Sequence, residues 1–203
     1  MRNILTNVEY NHTELLEIII KNILKMLERR HKINSYEEEF KKINQINTNN
    51  IIEIKAINNE IINIYFINSN ITTIVSGTPL EIYLSENLNI RKIIIAKVVS
   101  KKVVRQLYYE YQNVEFFFEN EMLEDIPSKI FIPQHILLTK EEKKELSEVF
   151  DEKDIGKILL FDIMSRYYNA NVGDIFRIIR PSITSGYNIY YRKVINSTID
   201  NIF

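Results

Sequence analysis

Arg180-Pro181-Ser182-Ile183-Thr184-Ser185-Gly186 is the stretch on which the reading of this chain turns. Pro181 has no backbone donor and so interrupts strand pairing, while Gly186 permits a backbone turn. Between them the hydroxyls of Ser182, Thr184 and Ser185 can bond to nearby backbone. Apolar runs flank the stretch, Ile175–Ile179 before it and Tyr187–Tyr191 after it, and the tail near Val194 reads as a third β-like segment. This predicts a corner in a small sheet, with Arg180 and Arg192 on neighbouring strands. Their forked guanidinium donors suit a carboxylate or a chain end on a partner. A plain hairpin carrying surface arginines accounts for the same letters.

Toward the amino terminus, Thr139 and Glu142 have the spacing of a capping box and predict a helix whose Leu146 and Val149 face a core. Ile158–Phe161 is a short apolar segment, after which Asp162 or Ser165 caps a helical turn. Ile126-Pro127-Ser128, with Pro133 beyond, marks a boundary. Ahead of it the pattern changes. Leu16, Ile19, Ile20, Ile23, Leu24 and Leu27 predict a helix over Thr13–Arg30, with Thr13 as N-cap and Arg29, Arg30 and His31 where positive charge suits the helix dipole. Ser35 and Glu38 predict a second short helix with Phe40 and Ile43 on one side.

A polar loop, Asn44–Asn50, then leads into Ile51–Ile57 and Ile61–Ile67, a hairpin through Asn58-Asn59-Glu60. A third run, Ile71–Val75, ends in the turn Ser76-Gly77-Thr78-Pro79. A short helix over Ile82–Leu88 and a buried central strand over Arg91–Val99 follow. Ser100 caps a helix Lys101–Tyr111, and a strand Val114–Phe118 and a short helix Glu121–Ile126 close the region. The expectation is an α/β domain with a mixed sheet, residues 1–128, followed by a small α+β domain, residues 129–203.

Composition excludes more than it proposes. A net charge of -1 offers no global basic field, so any DNA contact must be local or supplied by partner chains. Without cysteine there are no disulfides, thiolate metal sites or Cys nucleophiles. Met1–Asn11 lacks a signal-peptide pattern, and the apolar runs Ile61–Ile67 and Ile93–Val99 are broken by Asn63 and Lys97, short of the roughly 20 residues that span a bilayer. A soluble, non-secreted protein is expected. His12, His31 and His135 are scattered without metal-ligand spacing, and four glycines leave no phosphate-binding loop. No catalytic residue, metal, cofactor, small-molecule substrate or membrane partner is expected. Tyr108, Tyr109, Tyr111, Phe116, Phe117 and Phe118 read as core packing rather than base stacking.

The second half resembles the C-terminal domain of the fifth subunit shared by eukaryotic nuclear RNA polymerases, and the small archaeal RNA polymerase subunit that corresponds to that domain. The resemblance is carried in order by Pro133-Gln134-His135, Leu138-Thr139-Lys140-Glu141-Glu142, Asp162 through Arg166-Tyr167, Gly173-Asp174, Ile179 through Gly186, and Tyr191-Arg192-Lys193-Val194. Ile163 stands in place of a family Pro, Ile183 in place of an acidic residue, Ser185 in place of an Ala and Asn169 in place of a Gly. These departures mark a divergent lineage, with a large DNA virus carrying its own polymerase among its possible sources. The first half resembles, by architecture, the N-terminal jaw domain of the eukaryotic-type subunit.

The resemblance implies a non-catalytic subunit of a multisubunit DNA-directed RNA polymerase. It would dock on the largest subunit, with neighbouring small subunits, through Pro133, His135, Arg166, Arg180, Ser182, Thr184, Gly186, Tyr191 and Arg192. The jaw would brace downstream duplex DNA through backbone contacts from Ser100, Lys101, Lys102 and Arg105. Positive residues at the start of a helix oppose its dipole unless an anion compensates, and a solvated face is the plain alternative. A cellular source implies the nucleus; a viral one implies the viral factory or virion in the host cytoplasm. The alternative function is a metal-dependent, nuclease-like DNA-binding protein using Glu53 and Lys55, an acid-x-Lys on a strand.

Overall fold

A computed structural model of the 203-residue chain describes residues 12–43, 51–67, 69–86, 88–151, 153–182, 184 and 186–203. The expected loop Asn44–Asn50, the start Met1–Asn11, and the departures Ile183 and Ser185 lie outside the described residues.

Helix α1 (His12–Arg29) contains Thr13 within its first turn rather than using it as a cap. Ser35 does cap α2 (Tyr36–Lys42), its hydroxyl accepting the Glu38 N–H at 3.5 Å. Strands β1 (Ile51–Lys55) and β2 (Ile61–Ile67) form the expected hairpin, closed by Asn59 at φ 61. Helix α3 (Pro79–Ser85) starts earlier than the apolar pattern suggests, because the Thr78 hydroxyl accepts the Glu81 N–H and Pro79 suits the first turn. Strand β3 (Arg91–Ala96), helix α4 (Lys101–Tyr109), strand β4 (Val114–Phe118) and the short α5 (Glu119–Met122) follow, and then a 3-10 turn at Ile126–Ser128.

Ile71–Val75, expected as a strand, forms only the single bridge Ile71–Val99. Side chains from α4 and its cap take its backbone groups instead. Gln106 Oε1 accepts the Ile74 N–H at 3.1 Å, and the Ser100 hydroxyl donates to the Thr72 carbonyl at 2.7 Å. With those groups satisfied, no neighbouring strand is needed.

The remainder comprises β5 (Gln134–Leu137), α6 (Lys140–Val149), β6 (Gly156–Leu159), α7 (Ile163–Tyr167), β7 (Ile175–Ser182), β8 (Gly186–Ile195) and a 3-10 turn at Ile199–Ile202. The three expected β-like segments are two strands, since Val194 belongs to β8. Pro181 does not end β7, which pairs with β8 as far as Ser182 opposite Gly186. Its missing donor is tolerated because β5 stops at Gln134, opposite Ile179, leaving Pro181 beyond that neighbour's reach. Thr139 and Glu142 form the capping box in both directions, and Asp162 caps α7. Leu146 is buried beside Leu138, Ile155 and Ile175, but Val149, the last residue of α6, is exposed because that small cluster does not reach it.

The first sheet runs β1-β2-β3-β4, with an antiparallel hairpin at one side and parallel pairs across β3; the second runs β5-β7-β8-β6. This is the expected combination of α/β and α+β architecture. A single apolar cluster joins them: Ile19, Ile23, Leu24 and Leu27 of α1 pack with Ile62, Ile93 and Ile95 of the first sheet and with Met164, Tyr167, Phe176 and Val194 beyond it. Each such side chain, fully buried, contributes about 1.5–3 kcal/mol of hydrophobic stabilisation.

Polar contacts of three arginines cross the same seam. Arg30, with a side chain 5% exposed, donates to the carbonyls of Tyr167 (2.7 Å) and Arg166 (2.8 Å) at the end of α7 and pairs with Glu115 of β4 at 2.8 Å. Arg166 reaches back, donating to both carboxylate oxygens of Glu121 and to the Phe116 carbonyl at 3.1 Å. Arg29 holds Asp125 bidentately and donates to the Tyr167 hydroxyl at 2.6 Å. The chain end also returns to the first sheet's side. Ile199 is buried there, Asp200 pairs with Lys101, and Phe203 meets Phe118 edge-on with ring centroids 5.6 Å apart.

Removing one member of a buried pair strands the other. Arg166→Ala is therefore expected to destabilise the fold by about 3 kcal/mol in urea unfolding, whereas exposed Lys42→Ala should leave the unfolding midpoint nearly unchanged. Equal destabilisation by the two variants would show that the Arg166 pair does not bind the seam.

Candidate partner and nucleic-acid interface

Strand alternation sorts the expected docking residues onto two faces. His135 lies opposite Ile178, Arg180 opposite Asn188, and Arg192 opposite Phe176, so these side chains share one face of the second sheet. That face borders a groove of about 840 Å³ whose lining includes Pro133, His135, Arg180 and Arg192. The two arginines are exposed, but their register places them four positions apart along β7, about 13 Å at strand rise. They can hold two separate carboxylates or, both fully extended, converge on one between them.

Gly186 sits at φ 75 opposite Ser182, a left-handed conformation that a side chain would strain, and the Ser182 and Thr184 hydroxyls lie 3.3 Å apart across the turn. Tyr191 borders the groove, but its ring packs on the α6 side, near Phe150 at 5.9 Å. Pro133 accepts a hydrogen bond from His135 Nδ1 at 2.7 Å, and the imidazole meets Phe176 edge-on. Burial holds the His135 pKa below its ordinary value, and the Pro133 carbonyl opposes that shift. His135 thus braces the corner entering β5.

Arg166 is corrected. Expected on the docking surface, it is 8% exposed, and all the contacts described above are internal. Its place at one end of a helical turn against Glu121 decides this, since an arginine facing a carboxylate in an apolar seam has no reason to turn to solvent. Residues that sequence reasoning passes over complete the groove: Phe131 is 76% exposed, and Ile189, Tyr190 and Phe150 also line it from exposed positions. With Ile132, Ile155, Ile158, Ile163 and Met164 they give the groove a mainly apolar lining, the kind of open patch that favours contact with another surface. The signal is present in the sequence, as β8 carries Tyr187, Ile189 and Tyr190 on both faces where a solvated strand would alternate.

On the first sheet's side, Ser100 caps α4, accepting the Val103 N–H at 3.3 Å while donating to Thr72. Its hydroxyl thus both donates and accepts within the fold. Lys101 pairs with Asp200, whose carboxyl is held below the ordinary range by that hydrogen bond, with Arg105 adding to the effect. The compensating anion that a basic helix start calls for is therefore supplied in part by the chain's own end. Lys102 and Arg105 are exposed. Glu53 and Lys55 point outward from β1, and the row running on from Glu53 continues through Asn63 and Lys92, with no carboxylate to complete a metal-binding pair. Lys92 instead serves the fold, donating to the carbonyls of Leu84 (3.2 Å) and Glu86 (3.0 Å) at the end of α3.

The sequence of residues 124–194 matches the family described as RNA polymerase Rpb5, C-terminal domain. A DNA-directed RNA polymerase subunit 5 from Acanthamoeba polyphaga mimivirus is 29% identical over 91% of this chain and 94% of its own length. A subunit of DNA-directed RNA polymerases I, II and III from Dictyostelium discoideum is 29% identical over 86% of this chain and 94% of its own. Subunit Rpo5 of Archaeoglobus fulgidus is 34% identical over 32% of this chain and 90% of its own. The chain belongs to the fifth-subunit family of DNA-directed RNA polymerases.

The family's viral and amoebal members match across both sheets, whereas the C-terminal match ends at Val194 and leaves the tail that pairs with Lys101 outside it. The nuclease alternative finds no support among these relatives. No described helix is long and apolar enough to cross a membrane.

If Ser100 acts only as a cap, Ser100→Ala should cost about 1 kcal/mol in thermal or urea unfolding and leave the affinity for DNA at fixed salt unchanged, a neutral hydroxyl having no counterion to release. Weaker DNA binding by the folded variant at fixed salt would return Ser100 to the phosphate contacts.

Proposed function

We propose that this non-catalytic polymerase subunit docks on the largest subunit through the groove bordered by Arg180 and Arg192, and braces downstream duplex DNA with its first lobe. The observation that carries the reading is a coincidence of place. The segment matching the family, 124–194, is also the segment that holds the groove, two exposed arginines and exposed Phe131, Ile189 and Tyr190. We place the boundary between the lobes at residues 128 and 129, with neighbouring small subunits meeting the second lobe. Ser182, Thr184 and Gly186 shape the turn at the groove's end, and Pro133 and His135 shape its wall. In a cell the subunit would work in the nucleus; in a virus, in the viral factory or virion.

Purification from the native source, or co-expression with the largest subunit, tests the docking half. The wild-type chain should co-elute with the large subunit, and Arg180→Glu with Arg192→Glu should lower its recovery by about tenfold, since reversing charges at a paired surface costs more than deleting them. Full recovery of the double variant overturns the groove as the docking site.

DNA binding falls to Lys102 and Arg105, with Lys101 shared between Asp200 and phosphate. Each phosphate that a basic side chain neutralises contributes about 0.9 to the steepness of log affinity against log salt. Replacing Lys101, Lys102 and Arg105 by Ser should flatten the salt dependence of downstream-DNA retention by the assembled polymerase; an unchanged slope removes these residues from the DNA.

A further inference from the structure

We infer that the free edge of β5 is a docking strip for an extended, acidic segment of a partner polypeptide, which adds to the second sheet as a further strand. The sheet order leaves β5 at a border. A cavity of about 820 Å³ runs between that border and the C-terminal end of α1.

Register determines which backbone groups face outward. The Leu138 N–H donates to the Ile175 carbonyl at 2.9 Å, and Leu138 continues the register in which Gln134 faces Ile179. In an antiparallel pair the hydrogen-bonded positions alternate, so Gln134, Ile136 and Leu138 direct their backbone groups toward β7. The N–H and C=O groups of His135 and Leu137 then point away from it, and among the described residues they meet no hydrogen-bonding partner. Such an edge is a template for another strand.

The opposite wall selects the occupant. It carries Arg29, Arg30, His31, Lys32 and Arg91, and no acidic residue lines the cavity among the described residues. The acids that hold these cations are Asp125, Glu115 and Glu60, and the side chains of Arg29, Lys32 and Arg91 retain 31%, 27% and 20% exposure. Ile132, Ile136 and Leu138 supply an apolar floor. A chain alternating acidic and apolar residues meets all three demands: its backbone pairs with His135 and Leu137, its carboxylates face the cations, and its other side chains cover the floor.

A fluorescein-labelled decapeptide of alternating Glu and Val tests this by anisotropy with the full chain. Saturable binding that weakens with salt is expected. It should fall about tenfold when alternate peptide nitrogens are methylated, which removes strand pairing and keeps the charge. Leu137→Pro, which deletes one outward N–H, should weaken binding where Leu137→Ala does not; if Leu137→Pro fails to fold, the methylated peptide decides. The Arg180→Glu, Arg192→Glu double variant should bind the peptide as wild type does, which separates this strip from the polymerase-docking groove. Equal binding of the methylated peptide, equal binding of a Lys/Val decapeptide, loss of binding in the double variant, or binding of a thymidine decanucleotide in place of the peptide each overturns the proposal.

Discussion

Two arginines reach across the seam between the sheets in opposite directions. Arg30 leaves the end of α1 to take the terminal carbonyls of α7, and Arg166 leaves α7 to take Glu121 and the Phe116 carbonyl. Each guanidinium satisfies groups that the apolar seam would otherwise leave unpaired, and each combines acceptors from across the seam with one on its own side, Glu115 for Arg30 and the Phe161 carbonyl for Arg166. Their value is reciprocal: neither side of the seam offers a complete set of partners alone. Arg29, Asp125 and the Tyr167 hydroxyl extend the arrangement to the turn that leads into the second sheet.

That constraint bears directly on function. A subunit without chemistry of its own acts by holding surfaces in a fixed relation. Here the groove beside β7 and β8 belongs to one sheet, and the basic start of α4 to the other. The shared apolar cluster and the crossed arginines transmit position between them. A net charge of -1 is compatible with this task because the charge is distributed locally, with cations gathered at the end of α1, the start of α4 and the hairpin of β7 and β8. Local potential, rather than overall charge, governs contact with a phosphate or carboxylate.

The end of the chain adds a second tie. Basic residues in the first turn of α4 oppose its dipole, and Asp200 answers them from a segment beyond the family match, while buried Ile199 anchors that segment. An exposed pair of this kind contributes little by itself. Its effect is to offset the charge of Lys101, so that the unpaired basic surface at the start of α4 is carried mainly by Lys102 and Arg105.

Local chemistry was legible in the sequence wherever a residue acts on its own neighbours. Ser35, Ser100, Thr139 and Asp162 all cap the helices they precede, and the motif order from Pro133 to Val194 identified the family before any fold was known. The strands β3, β4 and β7 also stood out, since continuous apolar runs have few alternatives. What depended on distant partners was not legible. Arg166 looks like a surface arginine until Glu121 and Phe116 close over it; Ile71–Val75 looks like a strand until Gln106 and Ser100 take its backbone groups. Lys101 looks free until Asp200 arrives from the far end of the chain. The sequence by itself determined which elements form and to which family they belong. Only the tertiary structure decided which charged groups remain available to a partner, because pairing and burial depend on residues tens of positions away.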